Sequence, residues 1–391
     1  MVKEAAKLIM QAERPILYVG GGMLKARAAE VLRELVELTG IHVVTTLMAR
    51  GVLPDSHPLN LGMPGMHGTA TATTAMQKSD LLINLGARFY DRITGKVDSF
   101  APEAKIIHVD IDPSSVSKTV RADVPIVGPA GSVINEMISM VQGKEITNPE
   151  ALADWWKQID GWREERVGKL YEPSKPGEPI KPQEVIEALC RLTRGEAYVT
   201  TDVGQHQMFA AQYYKFDKPN RFITSGGLGT MGFGFPAAMG VQCAHPDSLV
   251  IDVAGEASFL MNIQELSTVM QYGLPVKVFV VNNQWMGMVR QWQELLHGER
   301  YSESYMESLP DFVKLAEAFG AHGIRCEDPS ELDGKIMEMI DCDKPVIFDC
   351  LVAREENCFP MIPSGAAHYE MLLGPDDRAA KPISEEGMVL V

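Results

Sequence analysis

The chain has 391 residues, which is enough for two or three domains of about 150 residues each. Hydrophobic residues make up 46% and charged residues 23%, a composition typical of a globular protein with apolar cores. The formal net charge is −16, so the chain has no general attraction to nucleic acid or to an anionic membrane. Its apolar runs, such as residues 278–281, are far shorter than the ~20 residues that a membrane-spanning helix needs. We therefore expect no nucleic-acid partner and no membrane partner.

The cysteines show no CxxC spacing and lie mostly in apolar segments. We expect them to be reduced thiols packed in the core. The sequence runs from Val2 directly into a helical pattern without a signal or transit segment, which predicts a cytoplasmic protein. The six cysteines are Cys190, Cys243, Cys326, Cys342, Cys350 and Cys358.

The first half of the chain alternates apolar strands with amphipathic helices. Strands are predicted at 16–19, 41–45, 81–85, 105–109 and 124–127, and helices at 3–12, 25–38 and 132–141. Strands that are almost wholly apolar and separated by helices favour a parallel sheet covered on both faces. We therefore place a doubly wound α/β domain at 1–145.

A change of composition follows this domain. Residues 146–181 hold three tryptophans in a polar helical stretch and then a proline-rich run, which is typical of a linker. The alternation then resumes, with strands predicted at 197–201, 221–224, 249–253, 276–281 and 346–351, and helices at 262–270, 312–319 and 330–340. The fold class is thus α/β, with two doubly wound parallel-sheet domains at 1–145 and 182–353, joined by the linker 146–181 and followed by a tail at 354–391.

Glycines and hydrogen-bonding side chains follow four strands of the second domain. Ligands bind beyond the carboxyl ends of the strands in an open parallel sheet, so these four segments predict one site at that edge. The segments are DVGQH from Asp202, SGGLGTMG from Ser225, GEAS from Gly255 and NNQWMG from Asn282.

The most informative pair in these segments is Glu256 and Asn283. Their separation of 27 residues fits one strand–helix–strand unit and places a carboxylate and an amide oxygen on neighbouring strands. Both are oxygen donors of the kind that Mg²⁺ prefers. Gly255 lets a ligand approach the backbone, and Ser258 can cap a helix whose N-terminus favours an anion. The pattern predicts a magnesium–diphosphate site, and the alternative is a surface capping residue at Glu256 beside a plain turn.

Longer motifs give a specific resemblance. The stretch that begins GEASF and ends VVNN resembles the thiamine diphosphate fingerprint, which usually begins Gly-Asp-Gly and closes with Asn-Asn. Similarity to the catalytic large subunit of acetolactate (acetohydroxyacid) synthase covers residues 15–373. The motifs that carry it are LGMPGMHGTATA, LGARFYDRITGKV, DVGQHQMFAAQYY, GLGTMGFGFPAAMG, NNQWMGMVRQWQELLHGERYSESY and ENCFPMIPSGAAHYEML.

The resemblance implies thiamine diphosphate and Mg²⁺ in the second domain. It implies that Glu256, Asn283 and the main-chain carbonyl of Trp285 hold the metal, that Met288 lies beneath the bent cofactor, and that Trp292 shapes the pocket for the acceptor. The matching cofactor positions are Val203, Gly204, Gln205, His206, Gly229, Met231, Gly255, Ala257, Ser258, Gly287 and Met288.

The resemblance also implies FAD in the first domain, in a structural rather than a redox role. Arg92 is further implied to lie near the carboxylate of the substrate. The matching positions are Gly21, Gly22, Thr46, Leu47, Met48, Gly65, Met66, His67, Gly68, Gly86, Ala87, Arg88, Arg92 and Asp110.

Residue patterns alone leave other interpretations open for several of these positions. The run from Gly20 to Gly22 does not have the GxGxxG spacing and is also typical of a structural turn. Met288 and Trp292, four residues apart on one helix, have the spacing of core residues. His206 is equally compatible with a solvated position at the start of a helix.

Four differences from the family pattern stand out. Glu256 replaces the usual aspartate and lengthens the side chain by about 1.5 Å, Tyr90 replaces an acidic residue, and Pro129 replaces an aspartate near the FAD adenosine. The family also carries an N-terminal domain that binds the aminopyrimidine ring and supplies a glutamate, and no segment of this sequence matches it. The sequence therefore predicts either that a separate pyrimidine-domain chain completes the site or that this sequence is a truncated form of the enzyme.

The function implied by the resemblance is decarboxylation of pyruvate and transfer of the two-carbon unit to a second 2-ketoacid. The products would be 2-acetolactate or, from 2-ketobutyrate, 2-aceto-2-hydroxybutyrate, in branched-chain amino acid biosynthesis. A homo-oligomer and a regulatory small subunit are implied as partners. The alternatives are another thiamine diphosphate-dependent carboligase or decarboxylase, and a cofactor-binding fragment without catalytic activity.

Overall fold

A computed structural model describes residues 1–144, 147–166 and 171–379 of the chain. It divides into two compact units. Unit 1 takes the described parts of Met1–Leu170 and Phe359–Val391 together with Asp217–Pro219, and unit 2 takes Tyr171–Phe216 and Asn220–Cys358. Each unit contains one parallel β-sheet with helices on both faces, which confirms the predicted fold class.

The sheet of unit 1 has five parallel strands in the order β2-β1-β3-β4-β5. The register pairs Leu17 with Val43 on one side and with Ile83 on the other. The strands are β1 (Pro15–Val19), β2 (His42–Thr45), β3 (Leu81–Leu85), β4 (Lys105–Asp110) and β5 (Val124–Val127). The helices are α1 (Val2–Gln11), α2 (Gly22–Lys25), α3 (Ala29–Thr39), α4 (Ala70–Gln77), α5 (Asp91–Thr94), α6 (Ala130–Val141) and α7 (Pro149–Arg166).

Alternation along the strands supplies unit 1 with two apolar layers. Leu17 and Val19 of β1 belong to the layer that α1, α3 and α6 cover, whereas Ile16 and Tyr18 belong to the opposite layer. Helix α3 ends at Gly40, whose φ of 67° is the left-handed conformation that glycine adopts without strain. Each strand is therefore buried on both faces, as its apolar sequence predicts.

Helix α7 lies where the sequence suggested a linker. Its Leu152, Trp155 and Ile159 are buried in the second apolar layer of unit 1, and Trp162 packs at the edge of that layer. The boundaries drawn from sequence at 145 and 181 differ from the structural division, because the tryptophans that suggested a surface connection anchor a helix to the first sheet.

The sheet of unit 2 has six parallel strands in the order β10-β11-β9-β8-β6-β7. They are β6 (Tyr198–Thr201), β7 (Phe222–Thr224), β8 (Val250–Ala254), β9 (Lys277–Asn282), β10 (His322–Cys326) and β11 (Val346–Leu351). The helices are α8 (Pro182–Leu192), α9 (Gln205–Tyr213), α10 (Gly234–Ala244), α11 (Glu256–Phe259), α12 (Leu266–Tyr272), α13 (Gly287–Leu296), α14 (Phe312–Phe319) and α15 (Leu332–Asp341). Sequence analysis missed β10, an edge strand in which Gly323 and Arg325 interrupt the apolar pattern.

The two strand orders each contain one point where the direction of winding reverses. In unit 1 the reversal lies between β1 and β3, and in unit 2 it lies between β6 and β8. A crevice opens at the carboxyl ends of the strands at such a point, and ligands of doubly wound sheets bind there. The described helices include none that is long and apolar enough to span a bilayer.

Candidate functional site

The first loop of the candidate site follows β6 at the reversal point of unit 2. Helix α9 begins at Gln205, and the next residue, His206, lies against Gly255 at the end of β8: a Cβ added to Gly255 would lie 2.7 Å from His206 Nδ1. His206 is buried, its Nε2 has no hydrogen-bond partner, and burial lowers its pKa to about 3. The solvated interpretation of His206 is therefore wrong: it is a neutral imidazole within the crevice.

Glu256 is the central acidic residue of the site. It opens α11 after β8 and is only 1% exposed, and among the residues that the structure describes its Oε1 has no hydrogen-bond partner. Burial raises its pKa to about 8, although the backbone amides of Trp285 and Asn283 act in the opposite direction. The carboxyl group thus lies beside the loop after β9, and the alternative of a surface capping residue is wrong. A buried oxygen without a partner is costly unless a cation or a proton compensates it.

The loop after β9 brings the other two predicted metal ligands to the same place. Strands β8 and β9 are direct parallel neighbours, as the spacing of Glu256 and Asn283 predicted. Asn283 is buried, its Oδ1 accepts a hydrogen bond from Trp285 N at 3.0 Å, and its Nδ2 donates one to Gln205 Oε1 at 3.2 Å. Between them, Gln284 has a φ of 63°, so the chain turns sharply there.

Two features of the predicted diphosphate cradle differ in the structure. Ser258 lies inside the first turn of α11 and donates from Oγ to the carbonyl of Gly255 at 3.1 Å, so it does not cap the helix from the N-cap position. Helix α11 has four residues, so its dipole adds little, whereas α9 has nine residues and begins at the same edge. The backbone amides at the start of α9 are thus the better anion-binding group.

The remaining positions of unit 2 surround this point at different depths. Val203, Gly204 and Ala257 are half-buried beside His206 and Glu256 in the chain, and Gly229 lies in an exposed loop with a φ of 65°. Met231 follows in the same loop and is half-buried.

Helix α13 begins at the metal-ligand loop. A Cβ added to Gly287 would lie 2.1 Å from Gln205 Oε1 and 2.8 Å from Asn283 Nδ2, so only glycine fits there. Met288 and Trp292 are half-buried on this helix and do not belong to the fully buried core. The core interpretation of these two residues is therefore wrong.

A pair of carboxyl groups lies beneath the crevice, and sequence analysis did not single it out. Asp202 directly follows β6 and Asp252 lies in the middle of β8; both are fully buried, and each has an Oδ2 without a hydrogen-bond partner among the described residues. Asp202 Oδ1 accepts from Gly234 N at 2.7 Å, and Asp252 Oδ1 accepts from Thr200 Oγ1 at 3.0 Å. Burial raises the pKa of Asp202 to about 6, and burial together with the charge of Asp202 raises the pKa of Asp252 well above its usual value. Burial and the proximity of the two carboxyl groups therefore favour a proton shared by the pair above the pH at which a free aspartate loses its own.

Unit 1 has a glycine-lined crevice at its own reversal point. A Cβ on Gly20 would lie 2.2 Å from the carbonyl oxygen of Gly86, and one on Gly22 would lie 2.8 Å from the same atom. Gly22 N donates to that oxygen at 3.0 Å. The glycine run thus makes a close backbone contact between β1 and β3, which a plain turn does not require, and Gly21 packs against Met48.

The other predicted FAD positions lie at the same edge or in the adjoining loop. Met66 N donates to the carbonyl of Arg92 at 2.8 Å, which joins the segment Gly65–Gly68 to α5. Asp110 ends β4 and is buried, with Oδ1 accepting from Asp112 N at 2.9 Å. Thr46 and Leu47 are half-buried after β2, Met66 and His67 are buried, and Met48, Arg88 and Arg92 are exposed, while Ala87 is buried after β3. Of the two residues that differ from the family pattern, Tyr90 lies under the guanidinium of Arg88 at 4.7 Å and Pro129 precedes α6.

Comparison with known proteins assigns each unit to a family. Residues 202–350 match the family described as "Thiamine pyrophosphate enzyme, C-terminal TPP binding domain". Residues 2–137 match "Thiamine pyrophosphate enzyme, central domain". The chain belongs to the thiamine pyrophosphate enzyme family. The C-terminal match contains all of the predicted metal ligands, and it begins at the buried Asp202.

Relatives that are curated as acetolactate synthases align with most of this chain. The acetolactate synthase large subunit IlvB1 of Mycobacterium tuberculosis is 50% identical over 95% of the chain and 60% of the relative. The isozyme 3 large subunit of Escherichia coli is 48% identical over 96% of the chain and 66% of the relative, and the large subunit of Haemophilus influenzae is 46% identical over 95% and 65%. These similarities confirm the resemblance inferred from the motifs. The chain spans about 60 to 66% of the length of these relatives.

Sequence analysis missed the buried polar groups that support the site. Gln291 lies fully buried on α13 and bonds to Gln205, and Asp252 lies two residues before the end of β8. Each was detectable as a polar residue inside an apolar pattern, because such residues are retained where they have partners or a task. In the described residues, no cluster of three or more His, Cys, Asp and Glu is arranged to hold a metal.

Proposed function

We propose that this chain carries the thiamine diphosphate, Mg²⁺ and FAD sites of an acetolactate synthase. The reaction is decarboxylation of pyruvate and addition of the two-carbon unit to pyruvate or 2-ketobutyrate. The observation that carries this proposal is the fully buried Glu256 with an oxygen that has no partner, facing the loop of Asn283 and Trp285. That arrangement has one carboxylate and one amide oxygen.

The donor set fits Mg²⁺. The ion takes oxygen ligands in octahedral geometry and is usually held by one or two protein groups together with substrate phosphates. Glu256, Asn283 and the carbonyl of Trp285 would hold it, and its charge would compensate a carboxylate whose pKa burial raises to about 8. Glu256 is one methylene longer than the usual aspartate, and its place at the first residue of the short α11 lets the loop accommodate that length.

The crevice between β6 and β8 fits a diphosphate. The N-terminus of α9 points backbone N–H groups into it, and the neutral His206 offers an imidazole nitrogen without adding charge. When bound, thiamine diphosphate supplies the electron sink for cleavage and formation of carbon–carbon bonds. The protein residues bind and orient: His206 and α9 hold the anion, Met288 supports the ring system, and Trp292, one turn further along α13, limits the size of the acceptor.

The glycine crevice of unit 1 fits a flavin nucleotide. Its strand order is the one whose reversal point between the first and third strands accommodates flavin in other doubly wound folds. Gly21, Gly22 and Gly86 let a phosphate-containing chain approach the backbone, and the exposed Arg88 supplies positive charge. Arg92 is proposed to bind the carboxylate of a 2-ketoacid, and its guanidinium lies 2.7 Å from Asp91 Oδ2.

Partners and location stay at the level of proposals. The relatives named large subunits suggest a regulatory small subunit, and we propose a homo-oligomer in the cytoplasm. A separate pyrimidine-domain chain stays a prediction. One alternative is that the chain binds cofactors without catalysis. Another carboligase or decarboxylase of the family is the remaining alternative.

Calorimetric titration with thiamine diphosphate, with and without Mg²⁺, tests the proposed site. We expect binding that depends on Mg²⁺ and a loss of that dependence in Glu256→Ala. Equal Mg²⁺-dependent binding by Glu256→Ala would overturn the metal assignment. An acetolactate assay with pyruvate and all three cofactors then separates the alternatives: product formation supports the synthase, binding without product supports the fragment, and acetaldehyde or another product indicates a different member of the family.

A further inference from the structure

A chain of three buried side-chain amides begins at the proposed metal ligand Asn283. Asn283 Nδ2 donates to Gln205 Oε1 at 3.2 Å, and Gln205 Nε2 donates to Gln291 Oε1 at 2.8 Å. The same Gln205 nitrogen donates to the backbone carbonyl of Glu356 at 2.9 Å. Gln291 Oε1 accepts from the backbone N–H of Cys358 at 2.8 Å, and Gln291 Nε2 donates to the carbonyl of that residue at 3.3 Å.

The direction of these hydrogen bonds is fixed by the backbone groups of Cys358 and Glu356, which contact Gln291 and Gln205. A side-chain amide can rotate by 180° and exchange its oxygen and nitrogen, but a backbone N–H cannot become an acceptor. The N–H of Cys358 therefore requires Gln291 Oε1 to face it, and the oxygen of Glu356 requires Gln205 Nε2 to face it. With its nitrogen committed, Gln205 presents Oε1 to Asn283.

This orientation, together with the backbone N–H of Trp285, decides which atom of Asn283 faces the proposed cation. Because Gln205 Oε1 can only accept, the Nδ2 of Asn283 turns towards it, and Oδ1 is left on the side of Trp285 N and the metal loop. A flipped Asn283 would place two oxygens against each other in a buried site and would turn a nitrogen towards the cation. The two amides also pack against Gly287, where an added Cβ would lie 2.1 Å from Gln205 Oε1 and 2.8 Å from Asn283 Nδ2.

We propose that Gln205 and Gln291 are positioning residues that hold the amide oxygen of Asn283 towards a divalent cation. This inference rests on the proposed Mg²⁺ site of the chain. Both N–H groups of Gln205 are engaged with Gln291 and Glu356, so its side chain does not donate to the diphosphate, and the contribution of this residue to anion binding comes from its backbone. Arg290 holds the segment 356–358, which Gln205 and Gln291 contact, by donating to the carbonyl of Glu356 at 3.0 Å and to Asn357 Oδ1 at 2.6 Å.

The first test needs no cofactor. In the full chain labelled with ¹⁵N-asparagine, the side-chain amide signal of Asn283 is assigned by its loss in Asn283→Asp. We expect slow exchange of this amide with solvent in the wild-type chain, at least tenfold faster exchange in Gln205→Met, and an intermediate rate in Gln291→Met because Glu356 still orients Gln205. An unchanged rate in Gln205→Met would overturn the proposal even if the chain bound no cofactor.

The second test measures the apparent Kd of Mg²⁺ at a fixed concentration of thiamine diphosphate. We expect a rise of at least tenfold in Gln205→Met and of three- to tenfold in Gln291→Met. The double variant is expected to equal Gln205→Met alone, because Gln291 acts only through Gln205. Additive effects of the two substitutions would contradict the proposal that Gln291 acts through Gln205.

The matched control is Gln207→Met on the same helix. Gln207 is also buried, and it donates to Thr224 Oγ1 at 2.7 Å and to the carbonyl of Ser225 at 3.3 Å. Its substitution therefore removes comparable hydrogen bonds that do not involve Asn283, Gln205 or Gln291. We expect wild-type Mg²⁺ affinity in this control. If Gln207→Met weakened Mg²⁺ as much as Gln291→Met, the effect would be general destabilisation and the proposal would fail. A wild-type chain without Mg²⁺-dependent binding would instead count against the proposed function. The exchange measurement would still show whether Gln205 holds the side-chain amide of Asn283.

Discussion

The two sheets of this chain form their crevices at the same topological position but line them with different chemical groups. Each has its crevice where the winding reverses, and each brings two strand-end loops into contact there through a glycine. In unit 1 the contact is backbone against backbone, Gly20 and Gly22 against Gly86. In unit 2 it is Gly255 against the ring of His206, with Glu256, Asp202 and Asp252 buried close by along the chain.

This difference determines how much of the ligand chemistry can be inferred from each crevice. Buried ionisable groups raise the free energy of the free protein unless something compensates them, so their identity and spacing indicate the charge of the missing ligand. A crevice lined by backbone indicates only that something approaches closely. The buried groups of unit 2 therefore support the proposal of a cation and an anion, whereas the backbone contacts of unit 1 indicate only a close approach.

The largest expected effect concerns the buried carboxyl group of Glu256 in unit 2. In Glu256→Gln we expect the Mg²⁺-dependent affinity for thiamine diphosphate to fall about 100-fold, which corresponds to about 2.7 kcal/mol. The free protein should become more stable by about 1–3 kcal/mol, because a buried carboxyl with a pKa raised to about 8 is replaced by a neutral amide. Calorimetry measures the change in affinity, and thermal melts of the free chain measure the change in stability. A variant that lost both affinity and stability would show that Glu256 has a structural role instead.

The second prediction breaks the backbone contact of unit 1. Gly20→Ala places a methyl group 2.2 Å from the carbonyl oxygen of Gly86 and should destabilise the chain by about 3 kcal/mol through overpacking. Denaturant unfolding measures this loss.

Gly131→Ala in α6 is the matched control. Its added Cβ would meet Ala28 Cβ at an ordinary 3.5 Å, and alanine should leave stability unchanged or raise it by up to about 1 kcal/mol because the site is helical. Equal losses in the two variants would mean that the contact between β1 and β3 is not tight.

The third prediction sharpens the comparison through pH. Because burial raises the pKa of Asp202 to about 6 and that of Asp252 further, the folded state holds protons that the unfolded state releases above about pH 4. The free energy of unfolding should therefore fall as the pH rises from about 4 through 6 and beyond. Asp252→Asn should flatten this slope and stabilise the chain by about 1–2 kcal/mol at pH 8. Chemical unfolding across pH 4–8 gives the slope, and an equally steep slope in the variant would contradict a shared proton.

The smallest expected effect concerns the exposed cation of unit 1. Arg88→Ala should weaken FAD about fivefold through loss of one exposed charge interaction worth about 1 kcal/mol, with no change in melting temperature. Quenching of flavin fluorescence measures the affinity. Arg33→Ala, which removes an exposed arginine from α3 away from the strand ends, should leave it unchanged. Equal effects of the two substitutions would point to net charge rather than to a site.

Several elements followed from sequence with little error. The strand at 81–85 and the helix at 312–319 coincide with their structural bounds, because each is an apolar pattern ended by turn residues. The edge strand β10 was missed, since it is only partly buried and its pattern is broken. Ser258 was given a capping role from its position, whereas the start of α11 at Glu256 placed it inside the turn.

The sequence by itself determined the class of fold, and it predicted for the second domain the sheet edge of the candidate site and the residue types of its proposed metal set. It could do so because apolar periodicity and the spacing of one strand–helix–strand unit are local properties. The tertiary structure alone decided that Glu256 and His206 are buried, that Asp202 and Asp252 share a site, and that Gln291 reaches Asn283 through Gln205. Those facts join segments up to 86 residues apart, and desolvation and hydrogen-bond direction depend on what surrounds a group in space rather than on its neighbours in the chain.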